Sequence, residues 1–381
     1  MTAVRSVGDA EATRRRPSWR LGWMLPAGLA LLAGLDAALL LIGVSAPITT
    51  ARLPEVHGML LVLGFVATLV SLERATALGR GYGYIAAALL GAGGIALVID
   101  PLPLLVGKAL LVAGTAAFTL LYLPLWRRQY DSPLLVQLLA AGLACAGAIL
   151  WLGGATFIHV LPWLIAFVVL TIAAERVELA RITMGPQAGI RILVHAWAMV
   201  LALVLGVALP DAGAIALGIV LVSLVAWLVI HDVACKTIRA SGVTRYMAAA
   251  ILCGYVWLAV AALALLFGVP EGAAYDAVVH AIFLGYTMSM IMAHATTILP
   301  AVLRIALPYR PAFWVPMALL QVSLVIRLWL GDGLGWPPAW QLGGALGVAA
   351  LVLFFATAIT SALLGPPRHR AKVGTAAGEE A

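Results

Sequence analysis

The sequence predicts an all-α, polytopic membrane protein of about twelve transmembrane helices, and three observations predict it. Of the 381 residues, 64% are hydrophobic and only 10% charged, more apolar surface than a water-soluble fold has reason to carry. Apolar runs recur along the whole chain at a length of ~20 residues, the number a helix needs to cross ~30 Å of hydrocarbon. The basic residues collect in alternate connections between those runs, as the positive-inside rule requires.

Each span is bounded by charge, proline or glycine. The first, 22–46, follows Arg20 and stops at Pro47; the second, 53–76, ends at the Glu73–Arg74 boundary; the third, 81–99, ends at Asp100–Pro101. Arg127 and Arg128 close 102–126, Gly153–Gly154 close 132–153, and Glu175–Arg176 close 156–175. Pro210–Asp211 separate 189–209 from 212–235, which Lys236 ends. The remaining spans are 244–268, ended by Pro270–Glu271; 273–301; 311–331, ended by Asp332; and 338–364, ended by Gly365–Pro366. Connections are short, so one transmembrane domain over 22–364 is expected, flanked by cytoplasmic tails at 1–21 and 365–381. The arginine-rich start, with Arg14, Arg15 and Arg16, is read as a retained tail, because the run after it is too long for a signal-peptide core.

With both termini in the cytoplasm, 20 of the 23 lysines and arginines lie inside, leaving Arg52, Lys108 and Arg327 toward the outside. The net charge of +7 is then a topology signal that calls for no nucleic acid. The expected location is the cytoplasmic (inner) membrane, with the lipid bilayer as partner. Cys145, Cys235 and Cys253 form no C-x-x-C or C-x-x-C-H and are read as buried free thiols, so covalent c-type haem attachment is not supported.

Six of the seven histidines fall within these spans, His369 lying in the tail. His57, His159 and His280 belong to the outer half; His195, His231 and His294 to the inner. Intramembrane imidazoles are costly without partners or ligands. His280 and His294 share the tenth span fourteen positions apart, ~21 Å along an ideal helix and within roughly 40° of one face. Haem suits two layers of single histidines, since axial ligation takes one imidazole per side of a flat macrocycle. Bare metal sites favour several converging ligands at close spacing such as H-x-H. Interfacial placement or a hydrogen bond to a neighbouring helix is the alternative for each histidine, above all His231 and His294. Gly58, Gly64 and Gly285 would admit a macrocycle or simply a neighbouring helix.

Arg327, near the outer end of the eleventh span, is a candidate for binding carboxylates such as haem propionates, or else pairs with Asp332. Asp36, deep in the first span, is a candidate proton carrier. Glu73–Arg74 and Glu175–Arg176–Glu178 read as ion pairs at the headgroup boundary. Tyr255 and Tyr286 read as hydrogen-bond donors between helices.

The run Glu55-Val56-His57-Gly58-Met59-Leu60, followed by Gly64-Phe65, resembles the second helix of haem–copper oxidase subunit I and of the NnrS family, twelve-helix haem- and copper-containing membrane proteins linked to nitric oxide metabolism. The resemblance implies His57 and His280 as axial ligands of an outer haem, held without covalent attachment as in b-type haem, and Arg327 as its propionate anchor. His294, with His195 or His231, would form a second, inner site. His159 is a spare ligand or metal contact, copper a second cofactor, and nitric oxide or electrons the business of the protein. The tenth helix has no H-x-H and His195 stands alone on the seventh, so oxidase-type oxygen reduction is not implied. The competing expectation is a proton-coupled secondary transporter that uses Asp36 and the histidines. Whether the protein is an enzyme is left open.

Overall fold

The computed structural model describes residues 22–366. The expected tails at 1–21 and beyond Pro366, with His369, lie outside the described residues. Among those described there is no strand, and twelve helices are long and apolar enough to cross a membrane. They are α1 (Met24–Leu41), α2 (Arg52–Leu78), α3 (Gly81–Val98), α4 (Leu104–Gln129), α5 (Ser132–Leu152), α6 (Phe157–Leu179), α7 (Ala188–Ala208), α8 (Pro210–His231), α9 (Gly242–Leu265), α10 (Gly272–Leu303), α11 (Pro311–Gly333) and α12 (Pro337–Leu364). The protein is a multi-pass membrane protein of all-α architecture.

Local chemistry sets the ends. Proline occupies the first turn of α5, α8, α11 and α12, where its missing N–H costs nothing. Gly79, at φ 70°, ends α2 in the left-handed conformation that glycine adopts without strain. An even number of crossings brings the chain back to the end of the bundle at which it enters, called here the near end; the other is the far end.

The helices are not equivalent. In α2, α6 and α10 about 67% of the most apolar window is buried in protein, against 28% in α7. These three form the middle of the bundle, and they carry His57, Arg176, His280 and His294. Burying the polar helices removes their imidazoles and guanidinium from lipid and makes each find a protein partner.

Three spans are not regular α-helices. Leu60–Ala67 of α2, Ala281–Met288 of α10 and Val325–Gly333 of α11 are π-helical. Widened turns loosen backbone carbonyls, and hydroxyls satisfy some of them: Thr68 Oγ1 donates to Gly64 O at 2.8 Å, and Thr287 Oγ1 to Ile282 O at 2.9 Å. The π-helical stretch of α10 lies wholly between His280 and His294, so the ideal-helix register expected for that pair does not hold.

The glycines serve helix packing. A Cβ at Gly58 would run into the Phe157 ring, Gly64 faces Ala30 and Gly94, and Gly285 is pressed onto Trp257. None of the three therefore makes room for a macrocycle. Trp257 is itself tied down, donating through Nε1 to Gln321 Oε1 at 2.7 Å, while Gln321 donates to Ser289 Oγ at 3.1 Å. With the ring unable to swing away, Gly285→Val is expected to cost about 1–3 kcal/mol by overpacking. The midpoint of thermal unfolding in lipid nanodiscs would show it; an unchanged midpoint would mean that α9 and α10 can separate freely.

Candidate functional site

The far-end cluster is built by the three π-helical spans. His57 sits one turn before the π segment of α2, His280 immediately before that of α10, and Arg327 inside that of α11. Such insertions recur at functional sites because they turn a side chain out of regular register. Asp276 joins His280 of α10 to Arg327 of α11, and His57 of α2 lies toward the same end of the bundle.

Each far-end imidazole is held by Nδ1. His57 Nδ1 lies 2.8 Å from Gly34 O of α1, and His280 Nδ1 lies 3.0 Å from Asp276 O and 3.2 Å from the Asp276 carboxylate. Carbonyl and carboxylate oxygens only accept, so Nδ1 carries a proton in both rings, and in the neutral form Nε2 holds the lone pair. No protein group among the described residues bonds either Nε2. A ring fixed through Nδ1–H with Nε2 presented is the arrangement that outer hydrogen bonds impose on metal-ligating histidines.

Arg327 does not pair with Asp332. Its Nε and Nη2 fork onto the two oxygens of Asp276, both at 2.8 Å, and its guanidinium lies 4.7 Å from the centre of the Trp340 ring. Glycines at 343 and 344 of α12 let Arg327 approach that helix closely. Asp276 thus binds an arginine and a histidine from two helices, a role its place at the start of α10 did not reveal. Asp332 stands against Asp276 with Oδ2 buried and no donor.

His294 meets the alternative expected for it, a hydrogen bond to a neighbouring helix. Its Nδ1 lies 2.8 Å from Met290 O, and Arg176 Nη1 lies 3.0 Å from its Nε2. Arg176 is not a headgroup-boundary ion pair with its own neighbours: its Nε and Nη2 fork onto Asp232, at 2.9 and 2.7 Å. Tyr255 donates to the same carboxylate at 2.6 Å, as does Ala234 N at 2.8 Å. Asp232 follows the last residue of α8. Burial pushes its carboxyl up, but the Arg176 fork, the Tyr255 hydroxyl and the Ala234 amide together hold it below the usual carboxylate range. Both nitrogens of His294 are engaged, which leaves no lone pair for an inner haem without breaking the Arg176 contact.

The other histidines are also accounted for by protein groups. His195 places Nδ1 on Arg191 O at 2.7 Å and Nε2 on Ser223 Oγ at 3.2 Å, and stacks on Trp227; His231 sets Nε2 3.2 Å from Arg191 Nη1. Both belong to the α7–α8 pair, and neither bonds His294. His159 is exposed and shares a 2.8 Å hydrogen bond with Thr156 at the start of α6. Asp36 is buried, accepting from Ile48 N at 3.3 Å through Oδ1, while Oδ2 has no donor. Arg74 gathers Glu73, Glu175 and Glu178 at 2.8, 3.2 and 3.7 Å, joining α2 to α6. Tyr286 is buried with no partner for its hydroxyl, against expectation. The three cysteines are free, but Cys235 is exposed.

Fold and site together define a twelve-helix membrane protein with two polar clusters, one toward each end of its central helices. Residues 20–363 match the family described as a domain of unknown function (DUF8744). That match covers nearly the whole bundle, and the chain belongs to this family. No curated protein matches it.

Proposed function

We propose that the protein binds haem at the far end of the bundle, with His57 and His280 as axial ligands, and handles electrons or nitric oxide in the manner of the NnrS-like proteins it resembles. The observation that supports this reading is the pair of imidazoles, each fixed through Nδ1 and each offering Nε2. Among the described residues no three histidine, cysteine or carboxylate side chains are grouped to hold a metal ion. Two imidazoles fit a haem iron, whose remaining donors come from its own macrocycle; a copper ion would need further ligands. A bound haem supplies one-electron chemistry and a place for a diatomic gas. The chain's own part is to orient the imidazoles: Gly34 and Asp276 hold their protons on Nδ1, and Arg327 fixes Asp276. Two arginine nitrogens are committed to that carboxylate, so in this reading Arg327 supports His280 first and reaches a propionate only through Nη1.

In the orientation that the positive-inside rule favours, both termini are cytoplasmic, the far end faces outward, and the inner membrane is the location. Protein purified from a haem-replete host is expected to show a Soret band that His57→Ala and His280→Ala each remove or shift. Wild-type protein with no Soret absorbance and no bound iron would refute the proposal. One observation favours a second reading, proton-coupled transport: Asp36 is buried on α1 with one oxygen lacking any donor. That reading requires solute flux in proteoliposomes that Asp36→Asn abolishes.

A further inference from the structure

A cleft with a cavity volume of about 120 Å³ opens between α1, α2, α6, α10 and α12 at the level of His294. Sites for small organic molecules combine apolar walls with a few placed polar groups. The walls here are almost wholly aliphatic and aromatic, with Phe354 and Phe355 meeting edge to face, ring centres 5.3 Å apart. Glu73, Thr171, Glu175, Arg176, Thr287 and His294 interrupt them.

The polar groups select the occupant by charge. Glu73, Glu175 and Glu178 share the single guanidinium of Arg74, and Arg176 is already matched by Asp232. Acidic side chains outnumber basic ones and both arginines are taken, so an anionic head such as a phosphate or a haem propionate finds no free cation here. What remains unclaimed is hydrogen-bonding capacity. Thr171 is buried, lines the cleft, and its Oγ1 has no protein partner. Glu73 and Glu175 each give Oε1 to Arg74, and no protein donor reaches either Oε2. The carboxylate acceptors call for hydroxyl donors on the ligand, and the walls call for an apolar body.

We propose that this cleft binds a hydroquinone-class molecule drawn from the bilayer: a neutral aromatic ring bearing hydroxyls, attached to an apolar tail. The hydroxyls bond Glu73, Glu175 and Thr171, and the ring packs near Phe354 and Phe355. Binding here is independent of any metal at the far end.

The test is calorimetric titration of the protein in lipid nanodiscs with decylubiquinol under anaerobic conditions, with empty nanodiscs as baseline. Saturable binding at one site per chain is expected, weakened about tenfold or more in Glu175→Gln by loss of a charge-assisted hydrogen bond. Thr171→Val removes only a hydroxyl with no protein partner, so it is expected to fold as wild type and still bind more weakly. Oxidised decylubiquinone, lacking hydroxyl donors, is expected to bind less tightly than the quinol. Heats equal to those of empty nanodiscs, or binding that neither variant alters, would overturn the assignment. Displacement of the quinol by stoichiometric haemin would do so as well, since it would put an anionic ligand in the cleft.

Discussion

Asp232→Ala is expected to destabilise the folded bundle by about 3–5 kcal/mol, the usual cost of removing one partner of a buried ion pair. The reason is what it leaves behind. Arg176 is buried, its Nε and Nη2 are spent on the Asp232 carboxylate, and its remaining Nη1 contact is His294, a neutral acceptor. Without Asp232 a guanidinium stays in the middle of the bundle with no counter-charge, and the Tyr255 hydroxyl loses its acceptor too. Arg176→Met/Asp232→Leu is expected to unfold at a higher temperature than Asp232→Ala, because it removes both charges and fills their space. The pH dependence follows from the depressed carboxyl. A group whose folded-state value lies below its ordinary 3.8 contributes stability in full above that value and loses it as pH falls through the lower, folded one. The Asp232 contribution should therefore be constant around neutrality and be lost in acid, and the acid limb should be shallower in Asp232→Asn. Equal midpoints for wild type and Asp232→Ala would mean that Arg176 is not held as a buried ion.

Most of the fold was legible because a transmembrane span is a one-dimensional signal: twenty apolar residues and a charged or proline boundary locate it whatever the packing. The predicted boundaries lie within a few residues of the helices; the largest difference is at α1, which ends at Leu41 rather than at 46. The far-end residues were legible for the same reason, since His57, His280 and Arg327 are polar groups interrupting apolar runs. What the sequence hid is the identity of partners. Asp276 and Asp232 sit at span ends, where a carboxylate reads as interfacial, yet each accepts a guanidinium fork from another helix. Pairings across 51 and 56 residues leave no mark in local spacing. Arg176 was assigned to its sequence neighbours Glu175 and Glu178, which in the fold belong to Arg74. The π segments have no compositional signature either, and every argument from 100° per residue across Ala281–Met288 fails for that reason.

Arg327→Lys separates charge from geometry at the far end, and its expected effect is nearly as large as that of Arg327→Ala. A lysine keeps the positive charge but offers a point donor where Asp276 accepts two parallel bonds of 2.8 Å. It also cannot lay a planar guanidinium on Trp340, a contact worth about 0.5–2 kcal/mol. Compensation by movement is blocked, because α12 approaches the Arg327 backbone so closely at Gly343 that a Cβ there would collide with it. Freed from its fork, Asp276 would be left facing Asp332, whose Oδ2 has no donor, with no cation between them. The carboxylate would then rotate away from His280 Nδ1, leaving the Asp276 carbonyl as the ring's only anchor. If His280 ligates haem as proposed, loosening this support should weaken haem binding about 10–100-fold while His57 and His280 remain in place. Arg327→Lys and Asp276→Ala should share that phenotype, since both break the same fork. Haem titration followed at the Soret band measures it. Wild-type affinity in Arg327→Lys would show that charge alone suffices there, and would remove the fork from any account of how His280 is held.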